Sequence, residues 1–295
     1  MHTVRKLLTA AKVTAVEILD DPLSLLVFLS AATLAVLAPA LHYHQFGEPS
    51  RMARDAGLSA LFAGGLVYIA FGSVRSFRRE IESNTISVVL SRSISRKSFF
   101  LAKFLGSLMA FSHYALSMLF ISLVMINGAE IGGSISRQSG DIARIYGPSF
   151  VLAVLSIVLP LIVSALLNRL KSFRFALTSN LISAAMLFAA IFFRFDGALF
   201  FRVLPVAFCA VLPHVLVCAI LISLAVRCRL NVSISAAGAI FAALVPFIGS
   251  YYLPESLSKG GSLSWRYVLL AFASILPLVA GVLYAGIKNF ETKEI

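Results

Sequence analysis

The side chains able to hold a metal or move a proton are few and scattered. His214 and Cys218 stand four residues apart, on one face of any helix that contains them, with Cys209 in the same apolar segment. Imidazole and thiolate donors at that spacing suit a soft metal, while a neutral His hydrogen-bonded between helices is the simpler reading. His42 and His44, at the edge of another apolar segment, give an equally thin metal signal, and His113 stands by itself in a third. Ser179, Asn180 and Ser183 read as hydrogen-bonding links between helices.

All 13 Asp and Glu residues fall outside the apolar stretches or at their ends. A carrier driven by protons or Na+ places an acid at mid-membrane, so ion-coupled transport is disfavoured. No G-x-x-x-x-G-K-(S/T) run occurs, so any ATP hydrolysis belongs to another polypeptide. An enzyme would gather acids, a His/Ser pair or metal ligands at one depth. No such set is present, and neither catalytic residues nor a resident metal or cofactor are expected.

The elements that must position these residues are membrane spans. The chain is 59% apolar and 13% charged, against roughly 25% charged for a soluble domain. Eight uncharged apolar stretches lie at about 22–41, 57–74, 104–126, 148–167, 176–193, 203–226, 232–253 and 267–287. Each is near the roughly 20 residues a spanning helix needs, and open sheets cannot satisfy their backbone in lipid. The expectation is an all-α membrane protein, one domain over residues 1–295 built as a bundle of about eight transmembrane helices. The first stretch exceeds a signal-peptide core and is read as a retained span. Val4, Leu7, Leu8, Ala11, Ala15 and Ile18 recur at spacings of three and four. Residues 1–21 therefore read as an amphipathic helix lying in the membrane interface.

Seventeen Lys and Arg fall in one alternating set of connections and eight in the other. That asymmetry places both termini and the connections near 75–103, 168–175 and 227–231 on the cytoplasmic side of the cell membrane. The net charge of +12 is thereby assigned to a membrane face, and no nucleic-acid motif accompanies it. The three cysteines form no disulfide framework.

The connection over residues 75–103 is too long for a minimal turn. Ile81, Thr85, Val88 and Val89 share one helical face, and Glu82, Asn84, Ser87 and Ser91 lie toward the other. With Glu80 and Glu82 at its start and Arg92 and Arg96 at its end, such a helix suits its own dipole. It would lie at the membrane surface with one face open to a partner or to anionic headgroups.

This stretch resembles the cytoplasmic loop of ABC-2 type permeases, the membrane subunits of one class of ABC transporter. The family pattern runs basic residue, two acids, Gly-Thr-Ile, an apolar pair, Leu-Ser-(Lys/Arg)-Pro-(Ile/Val)-Ser-Arg and then Gly-Lys-(Phe/Tyr)-Leu-Gly. Arg79, Glu80, Glu82, Thr85, Ile86, Leu90, Ser91, Arg92, Ile94, Ser95, Arg96, Lys103, Phe104, Leu105 and Gly106 match it. Asn84, Ser93 and Ala102 stand where the family has Gly, Pro and Gly. Arg54, Asp55, Gly57, Leu58 and Ser59 extend the likeness, which covers residues 51–110, and Phe290 with the last acids is similar to the family's tail.

The resemblance implies a coupling helix that docks on a separate ATP-binding subunit, which alone binds ATP. Glu80, Glu82 and Thr85 would contact that ATPase, with Leu90, Ser91 and Ser95 in the same motif. Arg92 and Arg96 would anchor the helix end, while Lys103 and Gly106 would place the third span. Arg169, Lys171 and Arg174 would form a second, weaker cytoplasmic contact. The partners implied are the ATPase, a second permease copy or paralogue, and the bilayer, with a lipidic or amphipathic substrate exported or released. An ATP-independent carrier or channel and a membrane-embedded enzyme or scaffold are the alternatives.

Overall fold

The structure is a computed structural model that describes residues 2–41, 49–82, 94–136, 142–171, 174–193, 197–228, 239 and 263–292. Every element among them is helical. In chain order they are α1 (His2–Leu19), α2 (Pro22–Leu41), α3 (Pro49–Ser59), a π-helical turn (Ala60–Gly64) and α4 (Gly65–Glu82). Then follow α5 (Arg96–Ser136), α6 (Ile142–Lys171), α7 (Phe175–Phe193), α8 (Gly197–Ala225) and α9 (Trp265–Glu291).

Among the described residues five helical runs are long and apolar enough to cross a membrane: Arg51–Ile81, Arg96–Ala129, Pro148–Arg169, Gly197–Ala225 and Trp265–Glu291. A sixth arises if α1 and α2, bent by 64°, make one broken span, and α7 carries a shorter apolar run, Phe175–Ala190. These helices fit a multi-pass membrane protein. Of the eight apolar stretches, 232–253 lies outside the described residues except for residue 239; the other seven fall on helices.

The bend has a local cause. Pro22 cannot donate to the α1 ladder, and the residue before a proline is pushed away from helical angles. α1 therefore ends at Leu19, and Pro22 opens α2 as its first residue. The Leu19 carbonyl left over at the break accepts a 2.9 Å hydrogen bond from Asn180 Nδ2 on α7.

At about 1.5 Å per residue the 41-residue α5 runs roughly 60 Å, and every other described helix packs against it. α1 comes closest where Gly106 of α5 faces it. A Cβ at Gly106 would lie 2.5 Å from the Ala11 carbonyl oxygen and 2.6 Å from Thr14 Cβ. The predicted apolar face of α1 thus divides. Ala11, Ala15 and Ile18 are buried against the bundle, while Val4 and Leu8 on the same face remain exposed.

Polar side chains satisfy backbone groups that breaks in the helices set loose, as hydrocarbon requires. Pro160 frees the Ser156 carbonyl four residues earlier, and Ser183 Oγ of α7 donates to it at 2.7 Å. In the π turn, the Ala60 carbonyl accepts from Tyr114 OH at 2.8 Å and the Phe62 carbonyl from His214 Nε2 at 2.9 Å. His214 also stacks on Phe111 with centroids 4.8 Å apart. Gly65 leaves room for it, since a Cβ there would sit 2.8 Å from Nε2.

Leu269, Leu270, Phe272 and Tyr284 on α9 and Val151, Leu155, Ile162 and Leu166 on α6 stay exposed, a largely apolar surface suited to lipid. His214→Ala should lower stability by about 1–3 kcal/mol, the cost of an orphaned buried carbonyl. Thermal unfolding in detergent reads this as a lower melting temperature, with Gln at 214 milder than Ala; an unchanged midpoint would contradict the clamp.

Candidate functional site

The polar residues concentrate where α1 and α4 end and α5 and α7 begin. Lys103, about two turns into α5, is 4% exposed at its side chain, and its ammonium stands 2.8 Å from Glu80 Oε1. It also lies 3.4 Å from Glu17 Oε2 and donates to Ser76 Oγ at 3.1 Å. Ser76 Oγ in turn donates to Glu17 Oε2 at 2.9 Å. One cation thus joins carboxylates from α1 and α4, and the Phe99 ring lies 6.0 Å from it.

Around this centre Arg79 approaches Glu17 at 3.8 Å and Asp21 at 3.9 Å, Arg75 approaches Asp21 at 3.6 Å, and Arg174 approaches Asp20 at 3.7 Å. Glu17 of α1, and Asp20 and Asp21 just after that helix, are therefore held by α4, α5 and the residue before α7 together.

A second layer closes the same end. Phe77 of α4, Phe99 and Phe100 of α5 and Phe290 of α9 pack as four rings, with Phe290 5.8 Å from Phe77 and 6.0 Å from Phe99. Arg96 Nη1 donates to the Glu291 carbonyl at 3.0 Å, and Lys97 pairs with the Glu291 carboxylate at 3.5 Å. Ser95 caps α5 through its Oγ, which accepts from the Ser98 amide at 3.2 Å.

Segment 83–93 lies between these two fixed ends. Glu80 is in the last turn of α4 and Glu82 is its final residue, whereas the sequence reading opens a short helix with them. α4 runs on because Val74, Phe77 and Ile81 continue one face onto the core. Glu80 thus sits at the negative end of the helix dipole, where the Lys103 ammonium 2.8 Å away offsets its charge. Arg96, expected at that helix's end, instead opens α5. Thr85, Leu90, Ser91 and Arg92 lie outside the described residues, and the side chain of Glu82 does too.

Arg169 is exposed in the last turn of α6, Lys171 is that helix's last residue, and Arg174 precedes α7 and meets Asp20. Among the described residues no three His, Cys, Asp or Glu side chains gather as a metal site. Cys218 Sγ lies 3.6 Å from Ser73 Oγ, and His42 and His44 are outside the described residues.

Glu17, Asp20, Asp21, Arg75 and Ser76 escaped the sequence reading as site residues. A signal was present: Glu17, Asp20 and Asp21 cluster at spacings of three and four in a chain of only 13 acids. Against protein families, curated proteins and solved structures alike, the chain finds no match.

Lys103→Met strands two carboxylates and should cost about 3–5 kcal/mol. Adding Glu80→Gln should recover part of that loss, giving a coupling of about 0.5–3 kcal/mol in a double-mutant cycle followed by thermal unfolding. Strict additivity would contradict the pairing.

Proposed function

We propose that the chain is the permease subunit of an ABC-2 type transporter, an eight-span protein of the cell membrane with both termini cytoplasmic. It works as a dimer with copies of a separate ATP-binding subunit. The observation that carries this reading is the fixing of both ends of segment 83–93 on one platform. Glu80 is tied to Lys103, and Phe77 packs on Phe99, Phe100 and Phe290. A push on a segment so held passes into α4 and α5 rather than being lost in slack ends. The resemblance over residues 51–110 supplies the partner that would push.

Within this proposal Glu80 positions the segment through Lys103. Glu82, Thr85, Leu90 and Ser91 meet the ATPase, and Arg92 with Arg96 anchors the far end. Arg169, Lys171 and Arg174 provide a second contact. ATP binding draws the two docking segments together and rearranges the dimer's central cleft, which exports or releases a lipidic or amphipathic substrate.

Affinity purification of the tagged chain from its native membrane in mild detergent should bring down an ATP-binding protein in about equal amount, with ATPase activity. Glu82→Lys and Thr85→Lys should lose that partner while the chain still inserts. A chain that purifies without any ATP-binding protein, and that moves solute in vesicles without ATP, would replace this reading with a carrier or channel.

A further inference from the structure

Beyond Lys103, a cavity of about 700 Å3 opens between α1, the α1–α2 bend, the end of α4 and the start of α7. Its cations are Lys12, Arg79 and Arg174; its carboxylates are Glu17, Asp20, Asp21 and Glu80. In a chain of net charge +12, acids outnumber bases here. A nucleotide or an anionic headgroup would meet four carboxylates as well as three cations, whereas a ligand carrying both signs can satisfy both sets.

The ion pairs that cross the cavity are loose. Arg174 Nε stands 3.7 Å from Asp20, and Arg79 stands 3.8 Å from Glu17 and 3.9 Å from Asp21. All exceed the roughly 2.7–2.9 Å of a charge-assisted hydrogen bond, unlike the 2.8 Å Lys103–Glu80 contact. Pairs at that separation are weak, so exchanging them for a ligand's charges costs little.

The remaining wall is Val13, Val16 and Pro22 with Thr9, whose hydroxyl donates to the Arg5 carbonyl of its own helix. Val13 is 62% exposed, and just beyond Pro22 lie Leu23 and Leu26 of α2, 39% and 60% exposed. The charged cavity therefore continues into a surface of the kind a spanning helix turns to lipid.

We propose that this cavity holds the headgroup of a zwitterionic phospholipid bearing a primary amine. The phosphate sits between Arg79 and Arg174, the ammonium on Asp20 and Asp21, and the acyl chains run past Val13 and Pro22 along Leu23 and Leu26. A primary ammonium brings N–H donors to the two carboxylates, and a quaternary one has none. Phosphatidylethanolamine meets these terms; phosphatidylcholine lacks the donors and phosphatidylglycerol lacks the cation. The inference does not depend on the transport reading.

The test is native mass spectrometry of the full-length protein in mild detergent with equal amounts of phosphatidylethanolamine, phosphatidylcholine and phosphatidylglycerol. Preferential retention of phosphatidylethanolamine is expected. Asp20→Asn and Arg174→Gln should each abolish the preference, and Arg174→Lys should keep most of it, all three with unchanged helix content and elution volume. Arg174 is 65% exposed at its side chain and Asp20 30%, so neither substitution opens a hole in the packed core. Soluble glycerophosphoethanolamine should fail to displace the lipid, because it cannot use the apolar wall. Equal retention of the three lipids, a preference for phosphatidylglycerol, a preference that survives both Asp20→Asn and Arg174→Gln, or full displacement by the soluble headgroup would overturn the proposal.

Discussion

A buried ammonium governs the charged end of this bundle. Taking Lys103 out of water costs several kcal/mol unless opposite charge and hydrogen bonds meet it. Glu80, Glu17 and Ser76 do so from two other helices. The requirement is geometric as much as energetic. α1 must lie along α5 closely enough to bring Glu17 to the ammonium, and Gly106, one turn from Lys103, allows that approach. α4 must continue to Glu80 before the chain leaves it. Once these hold, Arg75, Arg79 and Arg174 gather Asp20 and Asp21, the acids just after α1.

The apolar parts of the fold answer a different constraint. Between helices in lipid, packing and hydrogen bonds replace the hydrophobic force that water supplies. The close contacts are accordingly made at small residues, such as Gly57 against Ser122 and Gly286 against Ser223. Interruptions of the helices meet side chains from neighbours: Ser183 at the proline of α6, Tyr114 and His214 at the π turn, Asn180 at the end of α1. His214, which spacing with Cys218 had offered as a soft-metal ligand, spends its Nε2 on the Phe62 carbonyl.

Legibility in the sequence follows the range of the physics. Hydropathy is local, so residues such as 148–167 and 203–226 announced helices, and Pro22 announced where α2 begins. The apolar face of α1 is readable as well, but as one that lies in the membrane interface, not as one whose Ala11 and Thr14 meet Gly106. Ion pairs over long separations were not readable: Glu17 and Lys103 are 86 residues apart, and nothing near either names the other. The π turn left no trace, because Ala60–Gly64 reads like any apolar helix. The motif marks Glu80 and puts it at the start of a surface helix, whereas it lies in the last turn of α4. The apolar face of α4 carries on through Phe77 and Ile81, and that continuity outweighs the dipole argument that put the acids at a helix start.

The central claim is that Glu17 ties α1 to both ends of segment 83–93 through Lys103. Hydrogen–deuterium exchange of the wild-type protein and Glu17→Gln, each in lipid nanodiscs, addresses it directly. The account predicts faster amide exchange in Glu17→Gln both along residues 2–19 and at residues 77–82 and 94–106, while α6 and α9 keep their protection. Faster exchange confined to α1, or no change anywhere, would contradict it.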